Sequence, residues 1–272
     1  MKTKLSILSM LALIIQSAVV FAQVLATTGN PAADSLVIQG RSLVDSGYVE
    51  WKKEEMLHGY ALLQRAAVLA PENRYVEYYV YYAGYRLMTY GMVTRQNDLY
   101  EEFAHQAESG SAALARSCPD WSEPKTLLAA IYGIEIAHSW INAPTLGPKN
   151  NALAEEAIAI DSANPRAYMI LGISKLNTPS IFGGSLDKAV ELFQKSVSLF
   201  ESAKMKPASN LEPSWGYVDA LTWLGIAYEK QGLYKQALAQ YQKTLVADPN
   251  YSRARYVLIP EVEKKIELLN KK

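Results

Sequence analysis

The stretch that most constrains the fold is Ala220 to Pro249, ALTWLGIAYEKQGLYKQALAQYQKTLVADP. Its apolar residues recur at helical steps in two runs, so it reads as two short amphipathic helices joined by a tight turn. Leu221, Leu224, Gly225 and Tyr228 mark the first helix; Ala237, Tyr241 and Leu245 mark the second, and Pro249 stops it. Gly225 and Ala237 carry little or no side chain, which lets the two helices approach closely while larger residues fill the gaps above and below.

That order and spacing resemble the tetratricopeptide repeat, a helix–turn–helix unit of about 34 residues. Leu221 stands where Trp is usual and Thr244 where a small Ala is commoner; the other marked positions fit. The resemblance implies an all-α fold, a right-handed α-solenoid of helix hairpins that binds partners rather than performing chemistry. Helical periodicity runs through nearly all the remaining chain, with Pro and Gly clustered between the periodic runs. Helices are predicted over 33–46, 51–70, 73–91, 96–117, 123–141, 149–161, 165–177, 186–203, 214–231, 233–247 and 251–269. These make about five hairpins and a C-terminal capping helix, which Pro260 is expected to kink. The repeat pattern is specific over Asn164 to Asn250, where Tyr168, Leu171 and Gly172 take the marked places and Ala189 and Phe193 answer from the partner helix. Two insertions interrupt the period there, one at 178–184 and one around Met205 to Leu211. Upstream, the division rests on helix lengths and on terminators such as Pro71.

Residues 1–22 read as a signal peptide: Lys2 and Lys4 form the basic start, an apolar run follows, and Val20-Phe21-Ala22 offers small residues where a signal peptidase reads. A retained membrane anchor is the other reading of this run. Residues 23–32 are expected to be a flexible lead and 33–272 the repeat domain. The protein is thus expected to be exported, to a bacterial periplasm, with no membrane insertion once the leader is cleaved. Basic and acidic residues number 27 each, and loss of Lys2 and Lys4 leaves a slight acidic excess. Such a balance offers no field for nucleic acid. Cys118 is the single cysteine, so no internal disulfide forms; it reads as a buried, inert thiol or as a reactive one.

No catalytic pattern is present. His58, His105 and His138 are isolated, and neither a His-Glu zinc pattern nor a Gly-x-Ser-x-Gly turn occurs. No cofactor, metal or enzymatic activity is expected. Two stretches are candidates for binding. Between Arg74 and Tyr90, the residues Tyr75, Tyr78, Tyr79, Tyr81, Tyr82, Tyr85 and Tyr90 occupy one half of a helix, and Val76, Val80, Ala83 and Leu87 form an aliphatic stripe on the other. The resemblance puts this helix, the first of its pair, on the concave surface. There Tyr75, Tyr78, Tyr82 and Tyr85 would offer broad apolar faces with polar tips to a peptide or ligand, or else pack between repeats. The second candidate is a pair of turns, 142–150 and 177–185, which share Asn, Pro, a hydroxyl residue and an aliphatic in the same order. They are expected to lie side by side on one edge, with Phe182 covered and with Gly183 and Gly184 leading into a helix whose free N–H groups suit an anion.

Two functions from different classes follow. The first is a periplasmic scaffold that takes a protein or peptide partner in its tyrosine-rich groove. The alternative is a small-molecule-binding or solute-transport accessory protein that encloses its ligand, similar to exported repeat proteins that accompany some transporters.

Overall fold

The computed structural model describes residues 26–203 and 211–271, so the leader, residues 23–25 and the stretch 204–210 of the second insertion lie outside the described residues. Eleven α-helices occur among the described residues: α1 (Pro31–Glu50), α2 (Lys53–Leu69), α3 (Arg74–Thr94), α4 (Asn97–Ser117), α5 (Ser122–His138), α6 (Ala143–Ile160), α7 (Pro165–Asn177), α8 (Leu186–Ala203), α9 (Tyr217–Lys230), α10 (Tyr234–Ala247) and α11 (Ile259–Asn270). They pair in order into five antiparallel hairpins, and α11 packs on α10 as a cap. The first helices of successive hairpins also touch one another, α1 on α3, α3 on α5, α5 on α7 and α7 on α9, and so form a continuous inner layer.

Local sequence accounts for the starts. Asn30, Asn73 and Asn164 each accept two backbone N–H bonds at the beginnings of α1, α3 and α7, satisfying donors that the first turn leaves free. Pro31 and Pro165 follow two of these caps in the first turn, where no N–H is needed.

The helix contacts follow the small residues. A Cβ on Gly172 would stand 2.7 Å from the Phe193 ring, one on Gly225 would strike the Tyr241 ring, and Ala237 is fully buried. Gly172→Leu and Ala237→Phe are each expected to destabilise by about 1–3 kcal/mol through overpacking. Urea midpoints measure this, and unchanged midpoints would mean that α7/α8 and α9/α10 do not pack through these residues.

Three expectations are corrected. The lead predicted over 23–32 is structured from Ala26: this residue is buried, its carbonyl accepts from Leu211 N at 3.1 Å, and α1 begins at Pro31. The turn predicted over 142–150 is a 3₁₀ turn, Trp140–Asn142, running directly into α6. Pro144 falls in the first turn of α6 and Pro148 inside the helix, where it removes one hydrogen bond without ending it. The kink expected at Pro260 takes the form of a π turn over Ala254–Leu258 just before it.

Candidate functional site

Helix α3 is the second helix of the inner layer and is buried nearly all round. Its aliphatic stripe is buried, and so are Tyr75, Tyr78, Tyr79, Tyr82 and Tyr85. The tyrosine half therefore does not face an open groove. Part of it packs against the next hairpin, where the Trp121 ring lies 5.3 Å from both Tyr75 and Tyr78. The rest is covered by the chain itself. The segment Leu211–Gly216, the described end of the second insertion, runs as a strap over α1, α3 and α7.

The strap is held by complementary chemistry. The Trp215 indole stacks on Tyr82 at 5.2 Å, and its Nε1 donates to the Tyr78 hydroxyl at 2.8 Å. The Glu212 carbonyl accepts from Tyr79 at 3.0 Å and from Arg41 at 3.2 Å, while its carboxylate accepts from Tyr75 at 3.1 Å. The Trp215 carbonyl accepts from Arg166 at 3.2 Å. Thus an apolar ring with several polar tips meets one extended segment, and little of the tyrosine face stays free.

Two buried ion pairs lie beneath the strap. Arg166 donates from Nε and Nη2 to Glu123, the shortest of these bonds at 2.6 Å, and Glu123 also accepts from Tyr78. Arg86 donates to Asp219 at 2.7 Å and to the Tyr82 hydroxyl at 2.9 Å, and Tyr82 in turn donates to Asp45. Burial alone would lower the pKa of either guanidinium, but the adjacent Asp219 or Glu123 carboxylate more than reverses this and keeps it charged. Burial also pushes Tyr78 and Tyr82 well above the ordinary phenol value, Tyr79 up to about 12, and the Asp45 carboxyl upward.

What remains open is a cleft of about 610 Å³ where the two ends of the array meet. One wall is the face of α1 from Ile38 to Glu50, the second is Ser214–Val218, and the third is Ala247, Asp248 and Asn250. The ends touch beside it: Asn250 Nδ2 donates to Glu50 at 3.2 Å, and Val49 packs with Tyr251 and Ala254. Tyr48, Trp215 and Tyr217 give the cleft aromatic surface, and Arg41, Asp45 and Arg86 give it charge. A second cleft of about 650 Å³, between α2 and α4, has no aromatic lining residue. Among the described residues, no group of three His, Cys, Asp or Glu is placed to hold a metal ion.

The other predicted site also changes. The turn at 177–185 is present, with a 3₁₀ turn over Ser180–Phe182, but its N–H groups are not free. Gly183 N bonds Ser180 O at 3.0 Å, Gly184 N bonds Pro179 O at 3.2 Å, and Ser185 N bonds Lys175 O at 2.9 Å. Gly183 is needed for its φ of +89°, and a Cβ on Gly184 would collide with the Thr178 carbonyl. Both glycines thus shape the turn and are not an anion cradle. Phe182 is 74 % exposed and Ile181 83 %, so nothing in the described chain covers them. In the preceding hairpin, Trp140 and Ile141 are equally bare.

Sequence reasoning missed Asp45, Arg86, Glu123, Arg166, Asp219 and Trp215. Arg86 carried a signal, being the single charged residue between Tyr78 and Thr94. A lone charge in a helix otherwise fit for burial requires a buried partner.

Comparison with known proteins agrees with this architecture. Residues 218–251 match the sequence model of the tetratricopeptide repeat. No curated protein matches the chain. Among solved structures, the chain is similar to the HusA haemophore from Porphyromonas gingivalis, with 25 % identity over 74 % of this chain and 95 % of that one and a TM-score of 0.59. It also shares its fold with a thermophilic TPR protein of Thermus thermophilus, at 15 % identity over 85 % and 98 % of the two chains and a TM-score of 0.60. A repeat that matches in sequence at residues 218–251, five stacked hairpins and a solved neighbour of the same architecture give the chain a tetratricopeptide-repeat fold.

Proposed function

We propose that this is an exported, non-enzymatic binding protein whose ligand is a small molecule held in the cleft between α1, Ser214–Val218 and Ala247–Asn250. The observation that carries the reading is the strap. It fills the tyrosine face on which a peptide would otherwise lie, and it leaves a concave space of about 610 Å³ beside it. Spaces of roughly 300–1,000 Å³ with aromatic walls and a few convergent polar groups are the usual form of small-molecule sites. The similarity to a haemophore, which extends over nearly all of that chain, supports a ligand carrier and makes an iron porphyrin the first compound to titrate. Export is supported by the leader pattern of residues 1–22.

Ser42 lines the cleft and is solvent-exposed, so Ser42→Trp fills the space without disturbing the core. Native mass spectrometry of the protein incubated with a small-molecule envelope extract is expected to show one retained compound at one-to-one stoichiometry, lost in Ser42→Trp. No retained mass, or a mass kept by Ser42→Trp, overturns the reading.

A protein partner is the second reading. It is favoured by the tetratricopeptide architecture and by the bare Trp140, Ile141, Ile181 and Phe182. A photo-crosslinker placed at Phe182 tests it in the intact cell: a single reproducible adduct supports a partner, and labelling by solvent alone removes it.

A further inference from the structure

This inference rests on the cleft reading above and concerns what the cleft selects. Arg41 lies on the cleft wall of α1 and is only half-buried. One of its terminal nitrogens, Nη1, bonds the Tyr79 hydroxyl at 2.9 Å and the Glu212 carbonyl at 3.2 Å, which fixes the guanidinium in place. Its Nε and Nη2 make no hydrogen bond, and no carboxylate pairs with it, among the described residues.

The other charges of the cleft are already engaged. Arg86 is paired with Asp219 at 2.7 Å, Glu50 with Lys52 at 2.5 Å, and Asp248 accepts from the Asn250 backbone at 2.9 Å. Asp45, one helical turn beyond Arg41, accepts from the Tyr82 hydroxyl and forms no ion pair with Arg41. Burial pushes its carboxyl pKa upward, while the Tyr82 hydroxyl and the Arg86 and Arg41 charges act the other way. Arg41 is therefore a positioned fork with two donor sites free, on the wall of a space whose aromatic and aliphatic lining includes Ile38, Tyr48, Trp215, Tyr217 and Val218, with Ser42, Ser46 and Ser214 beside them.

We propose that the cleft selects small molecules with a flat, apolar body and a carboxylate, the carboxylate being taken by Arg41 and the body lying against the aromatic wall. A planar guanidinium matches a carboxylate through two parallel N–H···O bonds, a geometry that a lysine or a neutral donor does not reproduce. The aromatic wall supplies area for the body at little entropic cost.

The test uses a matched pair of probes, 1-naphthaleneacetate and 1-naphthaleneethanol, which share a ring system and differ in the carboxylate. Isothermal titration of the purified protein is expected to show the acid binding about tenfold or more tightly than the alcohol. Arg41→Gln is expected to erase that difference by weakening the acid alone, and Arg41→Lys, which keeps the charge but not the fork, to restore only part of it. Thermal melts of the two variants control for the lost bonds to Tyr79 and Glu212. If acid and alcohol bind equally, and Arg41→Gln changes neither, acid selection is overturned while the cleft reading stands. If neither probe binds, or both bind Ser42→Trp as well as the unmodified protein, the cleft reading falls and this inference falls with it.

Discussion

Glu123→Ala is expected to lower the stability of the protein by about 3–5 kcal/mol. The Arg166 guanidinium is buried under the strap, and Glu123 receives its Nε and Nη2 donors. With the carboxylate gone, the guanidinium keeps the Trp215 carbonyl but loses the countercharge that offset its desolvation. It cannot escape by giving up its proton, because an arginine side chain stays protonated at any ordinary pH. Tyr78 loses its acceptor in the same substitution, so two elements of the strap's seat are damaged at once. Replacing both partners, Glu123→Leu with Arg166→Met, should recover part of the loss, because a packed apolar pair carries no stranded charge. Urea unfolding of the single and double variants measures both effects. A single-variant loss below about 1 kcal/mol would mean that water reaches Arg166 and that the pair is not sealed.

Trp215→Ala is expected to cost a similar amount, about 3–5 kcal/mol. The indole is nearly fully buried, stacks on Tyr82, lies 6.1 Å from Tyr85 and donates to Tyr78. Its removal leaves a cavity against three tyrosines. Trp215→Phe separates area from hydrogen bonding: it keeps most of the ring contact but loses the N–H, so its cost should be nearer 1 kcal/mol. Solvent-perturbation absorbance should also show additional accessible tyrosine in Trp215→Ala. Loss of stability without new tyrosine exposure would mean that the strap closes over the gap unaided by its anchor.

The hairpins were legible because helix periodicity, terminators and caps are local signals. Each sits within one turn of the element it punctuates, as at Asn164-Pro165 and Pro249. The 142–150 turn failed because Pro144 and Pro148 read as breakers, whereas a first-turn proline is harmless and one lost bond is tolerable when the helix packs on α5 and α7. The tyrosine helix was found, and its amphipathic split was real, but which face stays open depends on Trp215, far along the chain. Periodicity carries no information about that distance. The insertion preceding Trp215 was visible as an interruption of the repeat, yet its length alone did not say where it would lie. Arg41 and Asp45 stood on α1 as ordinary polar positions, and only the meeting of the two chain ends makes them a wall.

That meeting changes how the molecule must fold and come apart. An open repeat array touches only its neighbours, frays from its ends and tolerates the loss of a terminal unit. Here Glu50 meets Asn250 across 200 residues, Arg86 meets Asp219 across 133, and the strap ties α9 to the first two hairpins. The entropy of closing those long loops must be met before the contacts that reward it exist, so assembly is slower than helix content alone implies. In return, α1 and the segment after α10 hold one another in place, and the hairpins between them are expected to unfold as one cooperative unit.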